Sequence, residues 1–287
     1  MTTDTRIADA LERIAHLLAQ HTPPYPPACD FARITAARWR ARGDVRFLQG
    51  VEHPHAIAAD ALVGVEKQTA QLNQNTAQFV AGKPANNVLL TGSRGTGKSS
   101  LVKAMLAKFA PQGLRLIEVD KDHLGDLPDI VDLVQALPYR FVVFCDDLSF
   151  DAGEPGYKAL KAILDGSISA ASPNLLIYAT SNRRHLLPEY MSENLETKYK
   201  GEEIHPGESV EEKISLSERF GLWLSFYPFS QDEYLGAVMN WLAQLGVHNI
   251  SMNDELQNEA IQWSLQRGSR SGRVAYQFAK DFAGRHA

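Results

Sequence analysis

Residues 86–110 read NNVLLTGSRGTGKSSLVKAMLAKFA, and this stretch decides the fold. Its middle, Gly92 to Ser99, matches the pattern G-x-x-x-x-G-K-S/T. A short apolar run, NNVLLT, enters it, and SSLVKAMLAKFA leaves it with helical periodicity. Strand, glycine-rich turn and helix in that order make a cradle for phosphate. The glycines let backbone N–H groups converge on phosphate oxygens, and the helix N-terminus adds positive potential. A triphosphate is therefore expected on Gly92, Ser93, Arg94, Gly95, Thr96, Gly97, Lys98, Ser99 and Ser100. Lys98 should reach the β- and γ-phosphates, and the Ser99 hydroxyl should ligate Mg²⁺.

Further apolar, β-branched runs follow at intervals: LRLIEVD (114–120), RFVVFCDD (140–147), NLLIYATSN (174–182) and LWLSFYPF (222–229). Each is continuously hydrophobic, as in strands covered on both faces of a parallel sheet, and helical or polar segments separate them. The pattern predicts an α/β fold with a five-stranded parallel sheet. From Ser230 the strands stop. SQDEYLGAVMNWLAQLG (230–246) and NDELQNEAIQWSLQRG (253–268) read as amphipathic helices, with Gly246 and Gly268 placed as C-terminal caps. Residues 230–287 are thus expected to form a helical appendage after the sheet.

At the other end, Ile7, Leu11, Ile14 and Leu18 share one helical face, and HTPPYPPA (21–28) forces an extended stretch. Residues 1–52 are read as a peripheral helix, its stripe packed on the body, followed by a proline- and arginine-rich linker.

Composition sets outer bounds. The 287 residues hold 29 Lys plus Arg against 34 Asp plus Glu, a net charge of −5, which argues against wholesale coating of nucleic acid. Two cysteines, Cys29 and Cys145, cannot build a disulfide framework or a four-cysteine zinc site. No apolar run approaches the ~18 residues of a membrane span, and a cytoplasmic protein is expected.

The run Arg140–Asp147 ends in two acids at the carboxyl end of a buried strand, where ligands of open α/β sheets sit. Asp146 is expected to hold Mg²⁺ together with Ser99, and Asp147 to orient or deprotonate the attacking water. Cys145 reads as a small buried hydrophobe.

Three later features complete an ordered set: Asn182 in IYATSNRRHLL, Arg219 in LSERFGLWLSF and Arg273 in GSRSGRVAYQFAKDF. Together with PANNVLLTGSRGTGKSSLVKA, GLRLIEVDKDHLGDLP, FCDDLSF and IYATSNRRHLLPEYMS, they resemble the AAA+ superfamily of P-loop ATPases over roughly residues 53–287. The likeness is closest to a bacterial AAA+ family classed as a domain of unknown function, and it implies a three-layer αβα core over residues 53–229 followed by a small all-helical lid over residues 230–287. The resemblance implies that Asn182 is sensor 1, placing the hydrolytic water. It implies that Arg219 is an arginine finger reaching a neighbouring subunit's site, a device worth ~10³–10⁵ in rate. It also implies that Arg273 is sensor 2 of the lid, with Arg270 as a rival, and that Leu62-Val63-Gly64 lies against adenine. The active form would be a homo-oligomeric ring, often of six, acting on a protein client that the sequence leaves unnamed.

Two departures bear on the chemistry. The residue after Asp146 is usually Glu in vigorous AAA+ hydrolases, and here the shorter Asp147 predicts slow hydrolysis. The aromatic pore loop of protein-threading members is replaced by Lys121-Asp-His-Leu-Gly-Asp126, which argues against polypeptide translocation.

Other signals are weaker. FARITAARWRARGDVR (31–46) holds five arginines around Trp39 and is read chiefly as a charged face packing on the acidic body. A grip on nucleic acid is the less favoured reading. Eight glutamates from Glu189 to Glu212 read as an acidic surface insert. His53 and His55 lack metal-site spacing. The expected function is an ATP-binding, Mg²⁺-dependent ATPase; the alternatives are a non-hydrolysing nucleotide-dependent scaffold and a nucleic-acid-associated loader.

Overall fold

The computed structural model describes residues 5, 7–14, 26–55, 57, 61–150, 155–165, 172–182, 198–200, 203–205, 216–248 and 250–286. The strands are β1 (Ala36–Arg42), β2 (Val45–Val51), β3 (Val88–Gly92), β4 (Leu114–Glu118), β5 (Arg140–Cys145), β6 (Leu175–Ser181), β7 (Lys198–Lys200), β8 (Glu203–His205) and β9 (Leu222–Phe226). Seven of them form one sheet in the order β2–β1–β4–β5–β6–β3–β9, and β7 pairs with β8 in a separate ribbon. Within the seven-stranded sheet the neighbours along β1–β4–β5–β6–β3–β9 run parallel, and β2 pairs antiparallel at one edge.

Continuous hydrophobicity in the central strands has the expected cause. Alternate residues of each strand feed two cores on opposite faces of the sheet. Leu89, Phe141, Val143, Cys145, Ile177 and Ala179 enter one core, which α4 (Leu127–Val134) and α5 (Pro155–Leu164) close with Ile130, Val134 and Leu160. Val88, Leu90, Val142, Phe144, Leu176 and Tyr178 enter the other, closed by α2 (Glu66–Val80) and α3 (Lys98–Phe109) with Leu72, Leu101 and Met105. This is the three-layer αβα architecture expected from the sequence. Each fully buried Leu, Val or Phe contributes roughly 1.5–3 kcal/mol.

The strand count corrects the expectation. The five predicted strands are β3, β4, β5, β6 and β9, and the segment taken as linker adds two more as the β1–β2 hairpin. The pattern in AARWRAR has period two. Ala37 and Trp39 turn inward to 1% and 2% exposure, while Arg38 and Arg40 turn to the opposite face. Trp39 Nε1 donates to Asp126 at 2.8 Å, Arg46 Nε to Asp126 at 3.2 Å and Arg38 Nε to Glu118 at 2.7 Å. Three arginines in the seven residues Ala36–Arg42, with Arg46 beyond them, hide this alternation, because a long basic side chain can border a core while its head stays wet.

Helix α1 (residues 7–14) forms as expected, but its stripe is not packed: Ile7, Leu11 and Ile14 are all more than half exposed. Leu18 and most of the acidic 189–212 insert lie outside the described residues.

After β9 come α6 (Gln231–Gln244), α7 (Asp254–Gln266) and α8 (Gly272–Arg285). Ser230 and Glu233 make a reciprocal capping box at the start of α6, and Asn253 and Ser271 cap the other two helices. These helices share their own core, centred on Tyr234, Val238, Leu242, Ala260, Ala275 and Phe278. Among the described residues no helix is long and apolar enough to cross a membrane.

Candidate functional site

The loop between β3 and α3 is shaped by its neighbours. A Cβ on Gly92 would lie 1.8 Å from the Phe226 carbonyl oxygen, because β9 pairs with β3 directly alongside. Only glycine permits that approach. Thr96 Oγ1 donates to the Ser93 carbonyl at 2.8 Å and braces the turn. Lys98 opens α3 and is almost wholly buried. Its Nζ donates to the carbonyls of Gly92 and Ser93, both at 2.7 Å, and to Asn182 Oδ1 at 3.1 Å.

The two acids after β5 stand opposite. Ser99 Oγ donates to Asp146 Oδ1 at 2.6 Å. Thr180, on the neighbouring β6, donates from Oγ1 to the same oxygen at 2.6 Å, and its Oγ1 accepts from the Asp147 backbone N–H at 2.9 Å. Asp147 has φ +54°, the one non-glycine positive φ among the described residues. Aspartate tolerates this left-handed geometry better than most side chains. The turn aims its carboxylate at Asn182 Nδ2, which donates to Asp147 Oδ1. Arg94 Nη2 stands 4.0 Å from the other carboxylate oxygen. Lys98, Asn182, Asp147 and Arg94 thus form a continuous polar chain across the ends of β3, β5 and β6.

Burial is the main cause that pulls the Lys98 ammonium down to about 8. Arg273 and Arg94 push in the same direction, and Asp146 and Asp147 oppose them. Burial pushes the Cys145 thiol up to about 12, as for an inert core cysteine rather than a nucleophile.

The lid completes the enclosure. Arg273 N–H donates to the Gly95 carbonyl at 3.1 Å, Phe229 N–H to the Arg270 carbonyl at 3.3 Å, and Asn240 Nδ2 to the Ala61 carbonyl at 3.0 Å. A cavity of about 800 Å³ remains between lid and sheet. Part of its lining is apolar, with Ile57, Leu62, Val63, Leu245 and the edge-on pair Trp241 and Tyr276, whose ring centroids are 4.9 Å apart. Another part is polar, with residues 94–100, Asp146, Asp147, Thr180, Asn182 and Arg273. An aromatic group with an anionic tail suits such a shape.

Most residues singled out from the sequence meet here: Arg94 to Ser100, Val63, Asp146, Asp147, Asn182 and Arg273 all line the cavity. Gly92 and Ser93 lie beneath it, where their carbonyls hold Lys98. Gly64 turns away at φ +76° and donates its N–H to Glu66 Oε1 at 3.0 Å. Of the two candidate lid arginines, Arg273 lines the cavity and Arg270 does not. Arg219 lies elsewhere, with its Nε on the Asp165 carboxylate. Thr180 was missed by sequence reasoning. A threonine in a strand is ordinary, and its bearing on both acids comes only from the β5–β6 pairing that sets Ala179 beside Cys145.

Mg²⁺ characteristically takes one or two protein oxygens and completes its shell with phosphates and water. The Ser99–Asp146 pair at the mouth of the phosphate loop fits that demand. Among the described residues no group of three or more His, Cys, Asp or Glu is placed to hold a metal by itself.

Residues 32–286 match the family model described as "Protein of unknown function (DUF815)". No curated protein matches the chain. Among solved structures, a single-substitution variant of Thermotoga maritima RuvB is similar at 19% identity and TM-score 0.52, covering 78% of this chain and 63% of that one. The Aeropyrum pernix ORC1 protein in complex with DNA is similar at 14% identity and TM-score 0.54, covering 79% and 62%. The chain therefore spans somewhat less than two thirds of the length of those structures. The likeness is one of fold, that of the AAA+ P-loop ATPases.

Proposed function

The chain belongs to the DUF815 family and has an AAA+ P-loop fold, and on that premise we propose that it is an Mg²⁺-dependent ATP-binding protein that hydrolyses ATP slowly. The observation that carries the reading is the 2.6 Å bond from Ser99 Oγ to Asp146 Oδ1. Forty-seven residues apart in sequence, the expected hydroxyl and carboxylate ligands meet beside a buried lysine at a helix N-terminus.

In this reading the loop amides and Lys98 bind the phosphates, and the apolar part of the lining with Leu62, Val63, Trp241 and Tyr276 takes the base. Ser99 and Asp146 hold Mg²⁺, which supplies charge neutralisation to the triphosphate when bound. Asn182 and Asp147 orient the attacking water, and Asp147 takes its proton. Arg273 carries the state of the site to the lid. Arg219 completes a neighbouring subunit's site, so the working form is a homo-oligomer whose subunits redock as ATP becomes ADP. We divide the chain accordingly into an α/β nucleotide-binding domain (53–229) and a lid (230–287). An N-terminal region (1–52) precedes them, and its β1–β2 hairpin extends the sheet.

A second reading, a nucleotide-dependent switch that does not hydrolyse, is favoured by one observation. Asp147, already shorter than glutamate, is engaged by Asn182 and lies near Arg94. The nucleic-acid loader is not favoured, because Arg38 and Arg46 are engaged by Glu118 and Asp126. Titration with labelled ATP and Mg²⁺, with phosphate release compared among wild type, Lys98→Ala and Asp146→Asn, separates the cases. Slow release lost in both variants supports the ATPase; binding with equal release in all three leaves the switch; no binding by folded wild type ends both.

A further inference from the structure

The phosphate loop carries a cation of its own besides Lys98. Arg94 sits at the crest of the loop, between Ser93 and Gly95, with its side chain 76% exposed and its guanidinium beside the Asp147 carboxylate. It belongs to the polar part of the cavity lining, with Lys98, Arg273, Asp146, Asp147 and Asn182. Three cations therefore face two carboxylates there.

The ion pair with Asp147 does not use Arg94 fully. At 4.0 Å, with the partners 76% and 58% exposed, it is a weak, solvent-screened surface pair. The guanidinium can leave it at little cost. Lys98, by contrast, is buried and already donates to the Gly92 and Ser93 carbonyls and to Asn182 Oδ1, bonds it would partly exchange for phosphate oxygens. The mutual repulsion of Lys98, Arg94 and Arg273 is relieved by an anion carrying several charges in this part of the cavity. A guanidinium offers a planar fork of donors that matches two oxygens of one phosphoryl group, whereas an ammonium acts as a point charge.

The polar chain gives the position of that phosphoryl group. Arg94 is the member farthest along Lys98–Asn182–Asp147–Arg94, and Asp147 and Asn182 are the pair assigned to the attacking water. We propose that the Arg94 side chain grips the terminal phosphate, so that the chain's own loop discriminates ATP from ADP. The inference rests on the ATP-binding reading above and deepens it. Arg94 would be a specificity-determining residue supplied within the subunit, distinct from the Arg219 of a neighbour. Its move to phosphate would also leave Asn182 as the side chain on the Asp147 carboxylate.

The test is equilibrium binding of Mg-ATP and Mg-ADP to the full chain as wild type, Arg94→Ala and Arg94→Lys. Because the side chain is largely exposed, the melting temperature should be unchanged. Arg94→Ala is expected to weaken ATP by about 10- to 100-fold, the range for a charge-assisted hydrogen bond, and to leave ADP within about twofold. Arg94→Lys should restore part of the loss. Equal weakening of ATP and ADP would overturn the assignment to the terminal phosphate, and unchanged affinity for both would remove any role for the side chain. If folded wild type binds neither nucleotide, the ATP reading itself is wrong. If wild type binds both and only the Arg94 pattern fails, the inference alone falls.

Discussion

Thr180 Oγ1 donates a 2.6 Å hydrogen bond to Asp146 Oδ1 and accepts one from the Asp147 N–H, so a single buried hydroxyl positions both acids. Thr180 is 1% exposed, and water cannot replace it. Thr180→Val keeps the shape and leaves the part-buried Asp147 amide without its partner, at a cost of about 1 kcal/mol. Mg²⁺-dependent ATP affinity should fall with it, by about tenfold, while Thr180→Ser retains both. Chemical denaturation together with ATP titration checks this; a stable Thr180→Val protein with undiminished affinity would show that the acids are held by other means.

Lys98 predicts a proton linkage. Its ammonium titrates near 8 in the free protein, against an ordinary 10.5, and the first cause is burial. A bound triphosphate favours the charged form and raises that value. Above pH 8 the free lysine is increasingly neutral, so binding takes up a proton; at pH 6.5 it is already charged and takes up none. ATP affinity should therefore weaken as pH rises through 8 towards 10. Calorimetry in buffers of different ionisation enthalpy measures the uptake, and Lys98→Ala should abolish it.

The lid rests on the phosphate loop at Gly95. A Cβ there would lie 2.8 Å from Ser271 Oγ and 3.1 Å from Arg273 Cβ, and φ is +77°. Gly95→Ala should cost about 1–3 kcal/mol in backbone strain and push α8 away from the loop. Increased amide exchange at residues 270–275, with the sheet strands unchanged, is the expected signature. Uniform protection across both regions would refute the coupling.

Arg219 is absent from the lining of its own chain's cavity and lies against Asp165. If it serves a neighbour, Arg219→Ala should leave ATP binding intact and lower phosphate release by about 10³-fold. Mixing Arg219→Ala with Lys98→Ala subunits should then recover part of the activity, because some sites pair an intact loop with an intact arginine. A mixture no more active than either variant would argue against a role in trans.

Much of the fold is legible in the sequence alone. The loop Gly92–Ser99 was readable because its function depends on backbone amides and side chains a few bonds apart, a spacing that the covalent chain imposes. The five central strands were readable because both their faces are buried, which leaves an unbroken apolar signature. The β1–β2 hairpin was not, since alternating arginines mask a period-two pattern whose inward half is Ala37 and Trp39. Nor did the stripe Ile7–Leu11–Ile14 reveal whether anything covers it.

From its own letters the chain determined a phosphate-binding turn, a parallel sheet that leads into and away from it, and a helical end. Tertiary structure alone decided which distant groups meet there. Thr180 reaches Asp146 from 34 residues away, Arg94 faces Asp147, and Arg273 rather than Arg270 looks into the cavity. The reason is physical: a loop's local geometry follows from neighbouring residues, whereas the order β5–β6–β3 is a minimum of the whole chain's burial and hydrogen bonding.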